Sequence, residues 1–175
     1  MSDVPDKLLR LISAGELRGW EGLSDLSLAD LTSAFPRDSD WSGTAHLGRR
    51  QRETHYLWSL VPGSDQKLRV WFEIDRVILI DLACPGTIRT RPDDLADLLA
   101  EVPTALDTWL GTLPMPQSQL VFPRKGLAAF VNRETQSIWH LALLRPQTLD
   151  EYVDNLQIDM RVRRHRPKHP MKPRS

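Results

Sequence analysis

The residues of this chain that could do chemistry are one carboxylate and one histidine on predicted strands. Asp81 lies within the apolar run 77–83, and His140 follows Trp139 in the later run 137–144. Burial would raise the pKa of Asp81 if the carboxylate had no partner, and a histidine in a cleft can act as a general base. The alternatives are a paired or edge-exposed strand carboxylate and a histidine of the core or surface. A catalytic site around either residue is one hypothesis.

Motifs of known chemistry are missing from the sequence. It contains no nucleophile elbow, phosphate-binding loop or dinucleotide-binding fingerprint. His165 and His169 have the spacing of ligands on one helical face, but Pro167 between them disfavours that helix. His46 and His55 have no carboxylate or cysteine at ligand spacing. We therefore expect no metal, no cofactor and no enzymatic activity.

Residues typical of protein interfaces are more prominent. The chain has six tryptophans, and the strand predicted over 68–74 alternates apolar residues with a second, mixed set. The candidate partner-binding residues share the side that this alternation places away from the core, with two of them pairing across from the preceding strand: Tyr56, Trp58, Arg69, Trp71 and Glu73. Tryptophan, tyrosine and arginine bury large areas and keep a polar group, so they often dominate binding energy. The alternative is that these aromatic residues line a second core.

The end of the chain is strongly basic. Residues 161–175 contain seven of the 23 basic residues and none of the 23 acidic ones, so this tail carries +7 and the remainder −7. The tail residues with candidate electrostatic roles are Arg161, Arg163, Arg164, Arg166 and Lys168. Interleaved prolines and few apolar residues predict a disordered tail. It could neutralise nucleic-acid phosphates, bind an acidic partner, fold back on the acidic body, or stay solvated without a specific role.

The periodicity of apolar residues predicts the elements that position these groups. We predict helices over 5–14, 27–35, 90–101, 104–110 and 149–156, with an extended connector over 113–116. We predict strands over 54–60, 68–74, 77–83, 119–122, 127–132 and 137–144. Ser27 with Asp30, and Thr148 with Glu151, have the spacing of helix caps. The fold class is therefore α+β.

One pattern of elements occurs twice. The strand, hairpin and Pro-x-Thr exit of 68–87 return over 127–148, each preceded by a helix with an Asp-Leu pair. This predicts two similar halves, each with short helices packed on an antiparallel three- or four-stranded meander. The expected segments are an N-terminal helix and turn (1–26), a first repeat (27–88), a second repeat (89–158) and a basic, Pro-rich tail (159–175). The first repeat has the tryptophan and charged residues, so we expect it to be the binding half.

This order of elements resembles the tandem domains of the β-lactamase inhibitor proteins and, for one half, the small outer-membrane assembly lipoproteins. The residues behind the resemblance are 28–35, 43–48, and the strands that contain Trp58, Trp71 and 77–82, within 27–145. The resemblance implies a fold of two units and a protein-binding sheet face. Those families are exported and the inhibitors carry disulfides, whereas Cys84 is the single cysteine here. No functional residue is carried over.

Length and composition complete the expectations. A chain of 175 residues buries about two-thirds of its unfolded surface, and one cysteine excludes an internal disulfide framework. We find no secretory h-region and no run of ~20 apolar residues, so we expect a cytoplasmic protein without membrane contact. The sequence thus predicts a non-enzymatic protein-binding module of the inhibitor, immunity or adaptor kind. The alternative is a nucleic-acid-associated accessory protein that acts through the basic tail.

Overall fold

The fold is α+β and is built around one antiparallel sheet in the computed structural model of the chain. The residues that the structure describes are 19–20, 27–34, 41–47, 50–59, 67–74, 76–83, 90–110 and 113–156. The helix predicted over 5–14, Cys84 and the basic tail lie outside this part of the chain.

The described residues form short helices and eight strands, with two groups of four consecutive strands separated by short helices. The helices are α1 (Leu28–Ala34), a 3-10 turn (Pro92–Asp94) that runs into α2 (Leu95–Leu99), and α3 (Leu149–Glu151), which continues as a π-helical turn (Tyr152–Leu156). The strands are β1 (Trp41–Leu47), β2 (Arg50–Ser59), β3 (Lys67–Glu73), β4 (Arg76–Ala83), β5 (Thr104–Leu110), β6 (Leu113–Phe122), β7 (Leu127–Asn132) and β8 (Ser137–Leu144). Together, α3 and the π-helical turn form the 149–156 helix.

All eight strands belong to a single sheet. Its order is β1-β2-β3-β4-β8-β7-β6-β5, and each neighbouring pair is antiparallel. Strands β1 to β4 form one meander and β5 to β8 form another. The two meanders meet at a seam between β4 and β8, where Asp81 lies opposite Ala142. The sheet is therefore continuous across both halves of the chain.

The helix predicted over 104–110 is wrong, because this segment is strand β5. Thr104 lies opposite Val121 and Ala105 opposite Leu120 of β6. Pairing with a long neighbouring strand outweighs a weak helical pattern here. The second meander consequently has four strands.

Strand β6 also begins earlier than predicted, because the expected connector 113–116 is part of it. Proline has no N–H group to donate to a neighbouring strand, so it is tolerated at strand positions where no such hydrogen bond is required. Pro114 lies opposite Trp109 of β5, whereas pairing with β7 begins only at Gln117. Pro114 thus lies where β6 pairs with β5 alone among the described residues, and Pro116 lies at the irregularity of the β5–β6 register, before pairing with β7 begins.

Two helix starts have the capping interactions that the sequence predicts. The Asp30 N–H donates to Ser27 Oγ at 3.2 Å, and Asp30 Oδ2 accepts from the Ser27 N–H at 2.9 Å. The Glu151 N–H donates to Thr148 Oγ1 at 3.3 Å, and Glu151 Oε2 accepts from the Thr148 N–H at 2.8 Å. The backbone hydrogen bonds, and then those of the hydroxyls, lower the pKa of both carboxyls. The second cap sets where the 149–156 helix begins.

One side of the sheet, the α1/α2 face, packs against the first two helices. Leu31 of α1 and Leu95 and Leu99 of α2 are buried in a cluster with residues of both meanders. The strand residues of this cluster are Leu68, Val70, Phe72, Val77, Ile80, Leu82, Phe122, Leu127, Ala129, Val131, Ile138, Leu141 and Leu143. Since both meanders contribute, they share this core rather than folding around separate ones.

The opposite side, the 149–156 face, is also a packed core. Tyr152 and Leu156 are buried there against residues of both meanders. The buried strand residues are Leu47, Trp71, Leu79, Val121, Ala128, Phe130, Ala142 and Leu144. Trp71 is only 1% exposed, so the expectation that it faces solvent is wrong and the alternative, that it lines a second core, is correct for this residue. The alternation in β3 was correct, but both faces of the sheet are covered.

The turn between β3 and β4 comes one residue earlier than predicted. Glu73 pairs with Arg76, so Ile74 lies in the turn rather than in the strand. Ile74 was expected in the core with the apolar residues of β3, but its side chain is exposed. A register shift after Trp71 accompanies this change in the hairpin.

The turn between β6 and β7 is held from two sides. The buried Glu101 carboxylate accepts from the N–H groups of Arg124 at 3.1 Å and Lys125 at 3.0 Å. Gly126 has φ +65°, and a Cβ atom there would lie 2.0 Å from the Leu144 carbonyl oxygen. Glycine is therefore required at this close approach of two strands.

None of the helices in the described residues is long and apolar enough to cross a membrane.

Candidate functional site

Charged and polar residues gather on the 149–156 face beside the seam between the two meanders. The Asp81 side chain is 3% exposed, accepts a hydrogen bond from Arg69 Nη2 at 2.6 Å, and has Oδ1 3.3 Å from His140 Nδ1. Arg69 lies directly opposite Asp81 in the β3–β4 register, and His140 lies diagonally across the seam. One buried carboxylate thus links both halves, and Arg69, Asp81 and His140 form what we call the seam cluster.

The two partners keep the buried carboxylate ionised. Burial, the largest single influence, would raise the pKa of Asp81. The hydrogen bond and charge of His140, together with the charge and hydrogen bond of Arg69, outweigh burial, so the pKa of Asp81 lies below its ordinary value. Asp81 is therefore an anion at neutral pH whose burial depends on both partners.

The Arg69 guanidinium is held from two directions. Its Nη2 donates to Asp81, and its central carbon lies 4.8 Å from the centroid of the Trp71 ring. The side chain is nevertheless 35% exposed. An arginine offers five N–H donors, and the other nitrogens of this one make no hydrogen bond within the described residues. Trp71 and Asp81 therefore fix a guanidinium that is still partly exposed.

His140 is fixed in a similar way. Its side chain is 27% exposed, its Nδ1 faces Asp81, and its ring packs edge-on against Phe130 with centroids 5.9 Å apart. A carboxylate at Nδ1 is the arrangement that orients a histidine as a general base through Nε2. Such a reaction also needs a nucleophile or a bound substrate near Nε2. Among the described residues, the hydrogen-bond partner of His140 is Asp81 and its ring partner is Phe130, and these two contacts orient the imidazole.

A buried hydrogen bond borders the seam cluster. The Tyr152 hydroxyl of the 149–156 helix donates to Gln119 Oε1 of β6 at 2.7 Å, and both side chains are fully buried. Burial, and then the negative charge of Asp81, raise the pKa of Tyr152, so this hydroxyl keeps its proton. The hydrogen bond fixes the helix to the sheet. The sequence pattern held no sign of this pair, because the two residues are distant in the chain and neither belongs to a motif.

Three of the predicted partner-binding residues lie along strand β3. Arg69 and Trp71 share the 149–156 face, but only Arg69 is accessible, because Trp71 is buried beneath it. Glu73 is exposed at the end of the strand, next to the turn that contains Ile74. The aromatic residue therefore supports the site instead of forming its surface.

The other two predicted residues lie on strand β2. In the β2–β3 register, Tyr56 lies opposite Val70 and Trp58 lies opposite Leu68. Their side chains lie outside the part of the chain that the structure describes, so their role in binding stays a prediction.

Two further expectations concern the basic tail and metal binding. The basic residues Arg161, Arg163, Arg164, Arg166 and Lys168 lie outside the described residues, and their roles stay predictions. In the part of the chain that the structure describes, no three His, Cys, Asp or Glu side chains gather closely enough to hold a metal ion.

Comparisons with known proteins identify no relative. The chain matches no protein-family model, and neither curated proteins nor solved structures show a significant match to it. The resemblance to inhibitor and lipoprotein folds therefore stays a prediction.

Proposed function

We propose that the chain is a non-enzymatic, cytoplasmic protein-binding module of the inhibitor, immunity or adaptor kind, and that the seam cluster is part of its binding surface. The observation that carries this proposal is the state of Arg69. Its guanidinium is fixed by Asp81 and Trp71 but is still partly exposed, with donors that no described residue uses. The partner group that fits them is a carboxylate or a backbone carbonyl.

A fixed arginine suits an interface for an energetic reason. Binding normally orders flexible side chains, at about 0.5–1.5 kcal/mol for each one. Arg69 is already ordered before a partner arrives, so little of this entropy remains to be lost. Arginine is also among the residues that most often dominate interface energies. The exposed edge of His140 offers a second ordered polar contact beside it.

The charge of the cluster predicts how it recognises a partner. Asp81 neutralises Arg69 at close range, so the pair offers directed hydrogen bonds rather than a strong positive field. Recognition at this site should therefore depend weakly on ionic strength. A partner held by the basic tail would instead dissociate steeply as salt rises.

We also propose that the two halves of the chain are repeats of one unit. Support comes from the register shifts of the two central hairpins. The shift between Trp71 and Phe72 in the first meander has its counterpart between Phe130 and Val131 in the second. These residues occupy equivalent places in the repeated sequence pattern, and bulges of this kind are typically kept within families.

The two proposed repeats differ at the seam cluster. Arg69 and Asp81 have Ala128 and Ala142 as their counterparts, and the four residues form one row across the sheet. The second unit thus has small apolar residues where the first has an ion pair. This difference supports the first half as the binding half.

The proposal predicts that binding depends on the Arg69 guanidinium. Full-length protein is immobilised and used to capture partners from a lysate of the source cells, and a captured protein is then purified and titrated calorimetrically. We expect Arg69→Ala to weaken its affinity about 30-fold or more, which corresponds to the ~2 kcal/mol of an interface hot spot. Arg69→Lys keeps the charge beside Asp81 but loses the planar fork, and should weaken binding at least tenfold.

The control is Arg91→Ala, which removes an exposed arginine from the loop before α2. It should change affinity less than twofold. A partner that binds Arg69→Lys as tightly as the unmodified chain would contradict the proposal. A complex that is lost in moderate salt, and on deletion of 161–175, would instead favour the nucleic-acid-associated role of the tail.

A further inference from the structure

The turn between β3 and β4 has a side chain that does not suit its backbone. Ile74 has φ +46°, in the left-handed region, and its side chain is 93% exposed. Glu73 pairs with Arg76, so the turn has only two residues. Two-residue hairpin turns of this kind favour asparagine, aspartate or glycine where φ is positive. A β-branched residue is the least suited, because its side chain crowds the backbone there.

The other central hairpin closes through a longer turn, of four residues between Asn132 and Ser137, and it too has a residue with positive φ. Gln136 of the β7–β8 turn has φ 51°, and its Nε2 donates to the Arg133 carbonyl at 2.7 Å. In the same turn, Asn132 Oδ1 accepts from the N–H groups of Glu134 at 2.8 Å and Thr135 at 3.0 Å. In that longer turn the residue with positive φ makes a hydrogen bond of its own, whereas the Ile74 side chain has no polar group that could make one.

Neither burial nor local contacts explain Ile74 in the free protein. Its side chain is almost fully in water, so it loses the stabilisation that burial gives an apolar residue. The backbone strain adds a second cost at the same residue. Unsuitable backbone conformations persist at sites of function more often than elsewhere. Contact with a partner would bury the side chain and offset both costs.

We propose that Ile74 is the apolar anchor of a hairpin tip that inserts into a pocket of a partner protein, an inference that rests on the protein-binding function proposed above. A single projecting side chain on a narrow turn fits a concave apolar pocket. Glu73 and Arg76 are exposed at the base of the tip, so the rim of that pocket must offer charged or polar groups to both signs.

The surrounding charge argues for a protein rather than an anionic surface. The two exposed charges at the base of the tip, Glu73 and Arg76, are of opposite sign. Phosphates of lipid head groups or nucleic acid are bound by an excess of positive charge, which Glu73 and Arg76 together do not supply. One isoleucine between charged neighbours also offers too little apolar area for insertion into a bilayer. A folded protein with a complementary pocket is the occupant that fits.

The test compares Ile74→Asn with Val102→Asn. Val102 is also a β-branched residue, 85% exposed, but it is not among the described residues with positive φ. We expect Ile74→Asn to weaken the affinity for the partner captured by the full-length chain at least tenfold, while Tm stays equal or rises. Val102→Asn should change the affinity less than twofold. A photoreactive residue at position 74, but not at 102, should cross-link that same partner in cells.

The outcomes separate this inference from the function on which it rests. If Arg69→Lys weakens binding but Ile74→Asn does not, the tip is not an anchor although the protein-binding function stands. A lower Tm for Ile74→Asn, without lost affinity in the folded variant, would show a structural role and overturn the inference. If the unmodified chain captures no partner that depends on either residue, both proposals fail.

Discussion

Replacing Trp71 by alanine is expected to lower the free energy of unfolding by about 3–5 kcal/mol, the usual cost of removing a buried aromatic side chain. The indole is buried in the core of the 149–156 face with Tyr152 and Phe130. Its removal would leave a cavity beneath the helix and remove the ring on which Arg69 stacks. Urea unfolding monitored by far-UV circular dichroism measures the change.

The matched control is Trp139→Ala. Trp139 is 39% exposed, and its Nε1 donates to Ser137 Oγ at 3.1 Å. Because little of its area leaves water on folding, the same substitution should cost about 1 kcal/mol or less. If Trp71→Ala were no more destabilising than Trp139→Ala, Trp71 would be a surface residue, as the sequence pattern suggests. The support that we describe for Arg69 would then not exist.

Replacing Asp81 by asparagine is expected to cost about 3 kcal/mol at neutral pH. Breaking a buried ion pair by removing one partner typically costs 3–5 kcal/mol. The lower end applies because Arg69 and His140 are partly exposed, and both can turn to water once the carboxylate is gone. The seam between β4 and β8 would lose its charged link, and the measurement is again urea unfolding.

The effect of Asp81→Asn should depend on pH in one direction. The pKa of Asp81 is lower in the folded protein than its ordinary value, so folding favours the ionised form. The stability that this adds is fully present above the unfolded pKa of about 3.9 and is lost as the pH falls through the lower folded value. The difference between the unmodified chain and Asp81→Asn should therefore be constant near neutrality and shrink in acid.

Asp107→Asn is the control for a change of the same kind at the surface. Asp107 is exposed and pairs with the exposed Arg133. Exposed ion pairs contribute little, so this substitution should change the free energy of unfolding by less than about 1 kcal/mol. Equal losses for both variants, or a loss at Asp81 that does not shrink in acid, would contradict the structure of the seam cluster.

Much of the fold could be predicted because local patterns agree with it. The alternation of Leu68, Val70 and Phe72 located strand β3, and the caps at Ser27 and Thr148 located two helix starts. These signals depend on neighbours in the chain, and tertiary contacts reinforce them. Strand β5 failed because its pairing with β6 decides its state, and no local pattern reports that partner.

The seam cluster was harder to predict because it depends on the helix that packs on the sheet and on contacts between distant strands. Alternation correctly separated Trp71 from the first core, but it could not reveal that the 149–156 helix covers the other face as well. Asp81 contacts His140 across the seam between β4 and β8. Nothing in the sequence of either strand predicts that these two strands are neighbours. The register that places Tyr56 opposite Val70 and Trp58 opposite Leu68 is set by pairing between strands, and a pattern within one strand does not report it.

The seam cluster bears on the sequence-based hypotheses that Asp81 is either a catalytic or a paired carboxylate and that His140 is either a general base or a core or surface histidine. The structure makes Asp81 a paired, buried anion, as one of the alternatives held, and it brings His140 to the same carboxylate. Through these two contacts, Asp81 holds the side chains of Arg69 and His140 in fixed positions on the 149–156 face. This order is the property that a binding surface uses, because it limits the entropy lost on association.

The most direct test of the proposed binding surface is to observe the Arg69 guanidinium during titration with a purified partner. Nitrogen-15 NMR resolves arginine side-chain N–H groups, and the exposed Arg91 serves as an internal reference. We predict that the Arg69 signals shift and exchange more slowly with water at saturation, while those of Arg91 do not change. Unchanged Arg69 signals, with shifts confined to residues 161–175, would contradict binding at the seam cluster and place recognition in the tail.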